Sequence, residues 1–540
     1  MSKLSGLQFR ETDFTLPAWL NWVGSGVGEQ MGIENEVKFE VSPDDLEKLA
    51  AARSLRPANG QLPKHKYFVS TYFDTPKHVL RRNGVSLRVR QAGKKRVQTI
   101  KTAKNGIALG RGEWESKIKS NEPDFRAARG TALEPLLSKN FRRALDPIFT
   151  THVHRTLVPL RPGNSLVELA LDRGHVRVGR NATPLAEVEL ELKDGSVADL
   201  FKAARMVAEL VPAKLAVKTK SEQGYALVED QPVSEVRASR ITLKRKATLS
   251  SAFQVIGRSV LHHIAANEPA VLAGKPEGVH QMRIGVRRLR AAISVFSKLL
   301  RSRQTEMMKR DLKWLAGKLG PVRDLDVFLN TKVHRLAGEQ PPISGFSELT
   351  SELVYRRDLA AEAAKSAISS SRYRLLIFNA LEWIEDGRWL KQLSVRGNPK
   401  TRSYAVHLFD RRTKKVKKRL KQVSKLNVRD RHDLRIAIKK LRYTVYFFES
   451  LFVDSASSKA LSRCKDHLRS LQDSLGALND IDVHQKLLNR LGTDGVEERS
   501  RLVSLAAGAV VGSERGEITR LLNAAKGAAR NLRRAEKFWI

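Results

Sequence analysis

Glu34-Asn35-Glu36-Val37-Lys38 is the stretch that decides how the first 230 residues of this 540-residue chain fold. In an extended strand, side chains two apart share a face, so Glu34, Glu36 and Lys38 lie together while Ile33, Val37 and Phe39 lie opposite. Two carboxylates and an ammonium on one face can hold a divalent cation and an anion side by side. Taken alone, such a strand is ordinarily a half-buried one with a solvated charged face.

Recurrence changes that reading. Arg88 and Arg90 alternate with Leu87 and Val89, Lys101 follows Ile100, and Arg111, Glu113 and Glu115 alternate in their turn. Glu187, Glu189 and Glu191 alternate with Val188, Leu190 and Leu192. Strands of this kind can curl into a barrel with a charged lumen and an apolar exterior, which helices then have to cover. Candidates are 43–53 (Ser42 as N-cap, Pro43 in the first turn), 134–145 and 197–210. A lumen mixing both signs suits a phosphate chain chelated to metal. Guanidinium and ammonium groups grip phosphate oxygens, and carboxylates offer hard oxygen ligands to Mg2+ or Mn2+. Without the cation those carboxylates would repel a polyanion, so the arrangement predicts metal dependence.

From about residue 32 to 228 the chain resembles the CYTH domain of the triphosphate tunnel metalloenzymes. The resemblance rests on Glu34, Glu36 and Lys38, then Tyr72-Phe73-Asp74-Thr75, Leu87-Arg88-Val89-Arg90, Lys101, Arg111-x-Glu113-x-Glu115, Arg155, Asp172, Glu187 to Glu191, and Lys220 with Gly224-Tyr225. It implies an eight-stranded antiparallel tunnel barrel that binds triphosphate compounds with a divalent metal. Family members include inorganic, thiamine and RNA triphosphatases and a class of adenylate cyclase. By the same resemblance, Glu34, Glu36, Glu189 and Glu191 are metal ligands or carboxylates that position water, supported by Glu113, Glu115, Asp172 and Glu187. Glu34, Glu36, Lys38 and Glu189 form the expected catalytic set. Lys38, Arg88, Arg90, Lys101, Arg155 and Lys220 grip phosphate. Where relatives often have Ser-Lys, this chain has Lys218-Thr219-Lys220-Ser221, so Lys218 joins the candidates. Tyr72 and Asp74 read more readily as an aromatic core residue and a turn former near Pro76.

After a polar basic stretch near 231–247, strand signals give way to long helical periods that contain an internal repeat. His280-Gln-Met-Arg283-Ile284-Gly-Val-Arg287-Arg288-Leu289-Arg290 returns as His432-Asp-Leu-Arg435-Ile436-Ala-Ile-Lys439-Lys440-Leu441-Arg442. Leu319-Gly320-Pro-Val-Arg323-Asp324-Leu325-Asp326-Val327 returns as Leu475-Gly476-Ala-Leu-Asn479-Asp480-Ile481-Asp482-Val483. The offsets are 152 and 156 residues, which predicts two pseudo-symmetric helical halves. His280, Arg283, Arg287 and Arg290 fall at i, i+3, i+7 and i+10 of a helix and form one stripe, and His432, Arg435, Lys439 and Arg442 fall identically. Met282, Val286, Leu289 and Ile293 in one copy, and Leu434, Ile438, Leu441 and Val445 in the other, form the apolar stripe.

These motifs resemble the CHAD domain across about residues 248 to 538, which implies two helical-bundle halves and a basic surface for inorganic polyphosphate. The expected polyphosphate-binding residues are His280, Arg283, Arg287, Arg288 and Arg290, with His432, Arg435, Lys439, Lys440 and Arg442. Asp324, Asp326, Asp480 and Asp482 read as caps or ion-pair partners of nearby Arg. His280 and His432 lack neighbouring Cys or paired His, which argues against zinc.

Composition agrees. Lys and Arg number 98 against 57 Asp and Glu, a net +41, of which about +30 falls from residue 241 onward. Such asymmetry points to a polyanion partner. Aromatics are 6% of the chain, and neither zinc-finger spacing nor an aromatic RNA-binding signature is present, so nucleic acid is disfavoured as a partner. The single Cys464 excludes an intrachain disulfide framework and fits a reducing cytoplasm; the CHAD resemblance implies an association with polyphosphate granules there. No stretch reaches membrane-spanning length, no Walker-type phosphate loop occurs and no secretion signal is evident.

The expected architecture is multidomain α+β. Residues 1–30 form an extension (with Met31 as an alternative start), 31–230 the antiparallel eight-stranded tunnel barrel with covering helices, 231–247 a linker, and 248–540 an all-α domain of two pseudo-symmetric bundles. The expected activity is metal-dependent hydrolysis of inorganic triphosphate, coupled to polyphosphate binding. The alternatives are a non-catalytic polyphosphate-binding scaffold and an adenylate cyclase.

Overall fold

The structure is a computed structural model; it describes residues 32–33, 35–56, 62–102, 112–230, 232–338, 344–420, 427–453, 455–491 and 497–540. These divide into two compact units, the first made of residues up to 204 with 218–230, the second of residues 205–217 and those after 231. Glu34, Arg111 and the proposed N-terminal extension lie outside the described residues.

The first unit is built on strands β1 (Gly32–Ile33), β2 (Glu36–Glu40), β3 (Lys64–Asp74), β4 (Val85–Ala92), β5 (Lys95–Thr102), β6 (Gly112–Lys117), β7 (Asp146–Leu160), β8 (Leu166–Val178) and β9 (Asn181–Asp194). They run antiparallel in the order β1-β6-β5-β4-β3-β7-β8-β9-β2. The outermost strands of this order belong to one stretch of chain. Gly32 and Ile33 pair with Glu113 and Gly112 of β6, whereas Glu36 to Glu40 pair with Glu191 to Glu187 of β9. Between them, the Asn35 carbonyl accepts from the Leu192 amide at 2.9 Å. The sheet therefore closes on itself as an eight-stranded barrel, with β1 and β2 acting as a single strand.

Period-two patterning places the charges. In β4, Val85, Leu87 and Val89 are buried in an apolar cluster with Phe73, Leu80, Ile100, Leu133 and Phe141, while Arg88 and Arg90 point the other way. Val37 and Phe39 of β2 and Val188 and Leu190 of β9 are likewise buried. Each such side chain contributes about 1.5–3 kcal/mol of burial free energy.

The helices of this unit are α1 (Pro43–Ala51), α2 (Val79–Arg82), α3 (Lys139–Arg143), the part of α4 (Val197–Leu210) up to residue 204, and α5 (Lys220–Glu229). The α1 start follows the expected Ser42 cap, whose hydroxyl accepts from the Asp45 amide at 3.1 Å. The helix expected over 134–145 is instead split. Ser138 caps a new turn by accepting from the Phe141 amide, leaving a 3-10 turn at Glu134–Leu136 and the short α3.

The second unit is helical: α6 (Leu249–Ala265), α7 (Glu268–Leu272), α8 (Pro276–Val295), α9 (Arg303–Phe328), α10 (His334–Ala337) and α11 (Phe346–Ser369). It continues with α12 (Ser371–Asp386), α13 (Arg388–Arg396), α14 (Thr401–Leu420), α15 (Val428–Phe448), α16 (Ser455–Leu491) and α17 (Glu497–Arg534). None of these is long and apolar enough to cross a membrane. The predicted pseudo-two-fold is visible in contacts that equivalent residues make with each other. Thr248 and Lys400, 152 positions apart, form an antiparallel bridge flanked by Leu249 N to Pro399 O at 2.9 Å and Thr401 N to Ala247 O at 3.0 Å. Phe328 and His484, 156 apart, stack ring on ring with centroids at 4.1 Å. The repeat helices α8 and α15 pack against one another across the same axis.

Candidate functional site

The barrel encloses a cavity of about 830 Å³. Its wall takes Lys38 from β2, Lys66, Phe68 and Tyr72 from β3, Arg88 and Arg90 from β4, Lys101 from β5, and Glu113 and Glu115 from β6. Arg155 and Leu157 from β7, Glu168 from β8, Glu189, Glu191 and Lys193 from β9, and Lys220 from α5 complete it. Eight cations and five glutamates therefore face one space. Acidic and cationic side chains from several strands converge inside an enclosure, as the alternation predicts.

The floor is a dense ion-pair network. Lys220 Nζ lies 2.5 Å from Glu187, 2.7 Å from Glu189 and 2.9 Å from Asp172. Arg155 binds both oxygens of Asp172 at 2.6 Å and reaches Glu189 at 2.6 Å. Lys38 sits 2.7 Å from Glu189 and 3.1 Å from the buried Glu36, and Lys101 sits 2.7 Å from Glu113. Burial opposes charge on Glu189 and Asp172. The cations Lys220, Lys38 and Arg155 outweigh it on Glu189, and Lys220 and Arg155 on Asp172, so both stay below the usual carboxylate range. Burial likewise opposes charge on Lys220, but Glu187, Glu189 and Asp172 hold its pKa well above the lysine norm.

The opposite wall is cationic and less balanced. Burial, then repulsion from Arg88 and Arg155, pull Arg90 down to about 10. Arg88 suffers burial too, but Tyr72, Glu113 and Glu115 more than restore it. Buried Nε atoms of both Arg88 and Arg90 have no hydrogen-bond partner among the described residues. Clustered guanidinium groups lining a cavity suit an oxyanion-rich ligand.

Asp172, Glu187 and Glu189 each offer an oxygen within 4.8 Å of the others. All are hard oxygen donors, which fits Mg2+ or Mn2+. Their present ion pairs with Lys220 and Arg155 must loosen for a cation to enter.

Most expected site residues therefore meet here. Glu36 and Lys38, Arg88, Arg90, Lys101, Glu113, Glu115, Arg155, Asp172, Glu187, Glu189, Glu191 and Lys220 are brought together; Glu34 lies outside the described residues. Lys218 is a correction. It is exposed, because Thr219 is the N-cap of α5 and the strand alternation stops there, leaving Lys220 as the inward lysine. Tyr72 stacks on Phe149. Asp74 is fully buried, accepting from the amides of Thr75, Leu80 and Arg81 and from the Tyr225 hydroxyl, and so has a structural role. The sequence reading missed Lys66, Phe68, Glu168 and Lys193. Lys66 and Phe68 share a face with Tyr72, and Lys193 is one further step along Glu187, Glu189 and Glu191, so the same alternation carries three of them. Glu168 pairs with Glu191 across the barrel wall.

In the helical unit the two basic stripes face each other. Arg287 Nε donates to the Tyr443 hydroxyl at 2.7 Å, which brings it beside Arg435, Lys439 and Arg442 of α15. Arg283 pairs with Asp324 at 3.1 Å and Asp326 with Arg357 at 2.9 Å, as expected of ion-pair acids. His280 is half-buried, while Arg290 and His432 are exposed. Two of the expected polyphosphate-binding residues lie off the stripe. Arg288 is buried, donating to the Tyr446 hydroxyl at 2.7 Å and to His263 Nδ1 at 3.2 Å. Lys440 is exposed and lies near Arg412, Lys415 and Arg419 of α14. Each stands one position off the inward face, about 100° around the helix.

Comparison with known proteins matches residues 32–225 to the CYTH domain and residues 256–489 to the CHAD domain. An inorganic triphosphatase of Haemophilus influenzae is 32% identical over 168 residues, covering 30% of this chain and 46% of that protein. The chain thus spans less than half the length of this curated relative. Among solved structures, the CHAD domain from the plant Ricinus communis is 28% identical, with a TM-score of 0.49, over 56% of this chain and 99% of that one. A putative adenylyl cyclase from Hippeastrum, described as having a dominant triphosphatase activity, is 14% identical, with a TM-score of 0.28, over 37% of this chain and 97% of that one. The chain therefore carries an N-terminal CYTH domain followed by a C-terminal CHAD domain.

Proposed function

We propose that the barrel hydrolyses inorganic triphosphate to pyrophosphate and orthophosphate with the help of Mg2+ or Mn2+, and that the helical unit binds inorganic polyphosphate. The observation that carries this reading is the two-signed wall of the enclosed cavity. Eight cations share it with the glutamates, and one guanidinium nitrogen each of Arg88 and Arg90 has no hydrogen-bond partner among the described residues. The triphosphatase relative supports the same substrate class.

Arg88, Arg90, Lys101, Arg155 and Lys38 hold the phosphate oxygens and stabilise charge that builds as the bridge breaks. Glu36, Glu189 and Glu191 accept hydrogen bonds from an attacking water and orient it. The water oxygen bonds to the terminal phosphorus as it gives a proton to one of these carboxylates, the bridging P–O bond breaks, and its electron pair leaves with pyrophosphate. Asp172, Glu187 and Glu189 would hold the divalent cation, which supplies positive charge between the carboxylates and the phosphate chain. The polyphosphate reading rests on the facing stripes of α8 and α15 in a strongly basic unit.

The test is phosphate release from tripolyphosphate, ATP and thiamine triphosphate, each with Mg2+, Mn2+ or EDTA. Metal-dependent release, fastest with tripolyphosphate, is expected. Tight binding of long polyphosphate with no release from any substrate would instead favour a scaffold, and cyclic AMP from ATP would favour a cyclase.

A further inference from the structure

Lys439 is an amine in an unusual setting. It is half-buried on the inward stripe of α15, yet among the described residues it makes neither a hydrogen bond nor an ion pair. Arg435 lies one turn before it, and Arg283 and Arg287 face it from α8; Asp480 of α16 is the one acid near enough to matter. The pseudo-symmetry shows why it lacks a partner. Its counterpart Arg287 is anchored by the Tyr443 hydroxyl at 2.7 Å, but the position equivalent to Tyr443 in the other half is Ala291, which offers no hydroxyl. Arg435 also has a buried Nε without a partner.

We propose that Lys439 is a covalent acylation site, modified by acyl phosphates that the surrounding guanidinium groups gather. The phosphate end of such a molecule meets Arg283, Arg287 and Arg435, which bind it and stabilise the departing phosphate. The Lys439 nitrogen lone pair attacks the carbonyl carbon, and the bond from that carbon to the phosphate oxygen breaks. Inorganic phosphate leaves with the bonding pair, the nitrogen gives its proton to water, and an amide remains. Desolvation and then Arg435, Arg287 and Arg283 push the ammonium down to about 7, so a large share of the amine is neutral and nucleophilic near neutrality. The inference needs only the facing guanidinium groups of α8 and α15 and does not depend on the proposed triphosphatase or on polyphosphate binding.

The test is peptide mapping by mass spectrometry of the full chain incubated with acetyl phosphate at pH 7.5. Lys439 should acetylate roughly tenfold or more faster than Lys414 and Lys418, exposed lysines of the equally basic α14. Equal rates would overturn the proposal. With the uncharged donor p-nitrophenyl acetate the preference should shrink, and millimolar inorganic phosphate should slow the acetyl phosphate reaction at Lys439. An undiminished preference, or no competition by phosphate, would overturn the role given to the guanidinium groups.

Discussion

Lys220, the first residue of α5, places its ammonium 2.7 Å from Glu189 in the middle of β9. The same nitrogen serves Glu187 and Asp172, so one buried cation compensates three carboxylates. Replacing it with methionine leaves those acids facing each other in a poorly solvated pocket. Lys220→Met should destabilise the barrel by about 3–5 kcal/mol at pH 7. Glu189 and Asp172 titrate below their ordinary values, so the stability they provide is complete above the unfolded carboxylate range and lost as pH falls through their depressed folded values. The gap between wild type and variant should therefore narrow in acid. Urea melts at pH 7 and pH 3 check this, and a gap that stays constant would mean the carboxylates are not charged in the folded protein.

Glu36 is 3% exposed and its oxygen stands 3.1 Å from Lys38. Glutamine keeps its volume but removes the charge that would orient water or hold a cation. Glu36→Gln should reduce phosphate release from tripolyphosphate by roughly a hundredfold or more, with circular dichroism unchanged. A folded variant with near-normal turnover would remove Glu36 from the reaction.

The opposite wall gives a prediction of opposite sign. Arg88, Arg90 and Arg155 crowd together, and the downward shift of Arg90 expresses first the cost of burying its charge and then the repulsion from the other two. Arg90→Met should raise the melting temperature of the ligand-free protein by a few degrees, about 1 kcal/mol, while raising KM for tripolyphosphate. A fall in both would assign Arg90 to the fold.

Which of these residues the sequence exposes follows from how each is positioned. Residues on regular strands, such as Arg88 and Arg90 or Glu187 to Glu191, announce their shared face through period two. Lys218 misleads because the chain changes from extended to helical at Thr219, and a two-residue period does not survive that change. Glu168 hides because its neighbour on the same face is Ala170, which dilutes the alternation. Arg288 and Lys440 sit beside the stripe rather than on it, a difference of one residue that only packing reveals. The offset repeat shows that two halves exist, but the contacts across their axis, such as Phe328 on His484, are tertiary and carry no local signal.

That one-residue difference separates binding from folding. Arg287 faces α15 from a half-buried position, whereas Arg288 is 2% exposed and held by Tyr446 and His263. Arg287→Ala should weaken long-chain polyphosphate binding about tenfold and lessen its salt dependence, with little effect on melting. Arg288→Ala should lower the melting temperature instead and leave affinity nearly unchanged. Isothermal titration beside thermal melts of both variants distinguishes them, and interchanged effects would overturn the assignment of the two faces.

The pairing of Arg288 with His263 also sets a pH dependence. The guanidinium can only donate, so His263 Nδ1 at 3.2 Å must accept, and Nε2 carries the proton toward Gln281 Oε1 at 3.1 Å. A second proton would have to sit on Nδ1, facing a cation. Burial first, and Arg288 next, accordingly push His263 down from 6.5 to about 4. The unfolded imidazole takes up a proton below 6.5 that the folded one refuses until about 4, so stability of the helical unit is full above 6.5 and falls across that window. The loss approaches about 3 kcal/mol at the acid end. His263→Gln should lose less stability between pH 7.5 and pH 4.5 than the wild type does, as followed by helical circular dichroism in urea. Parallel losses in the two proteins would show that acid sensitivity in this unit arises elsewhere.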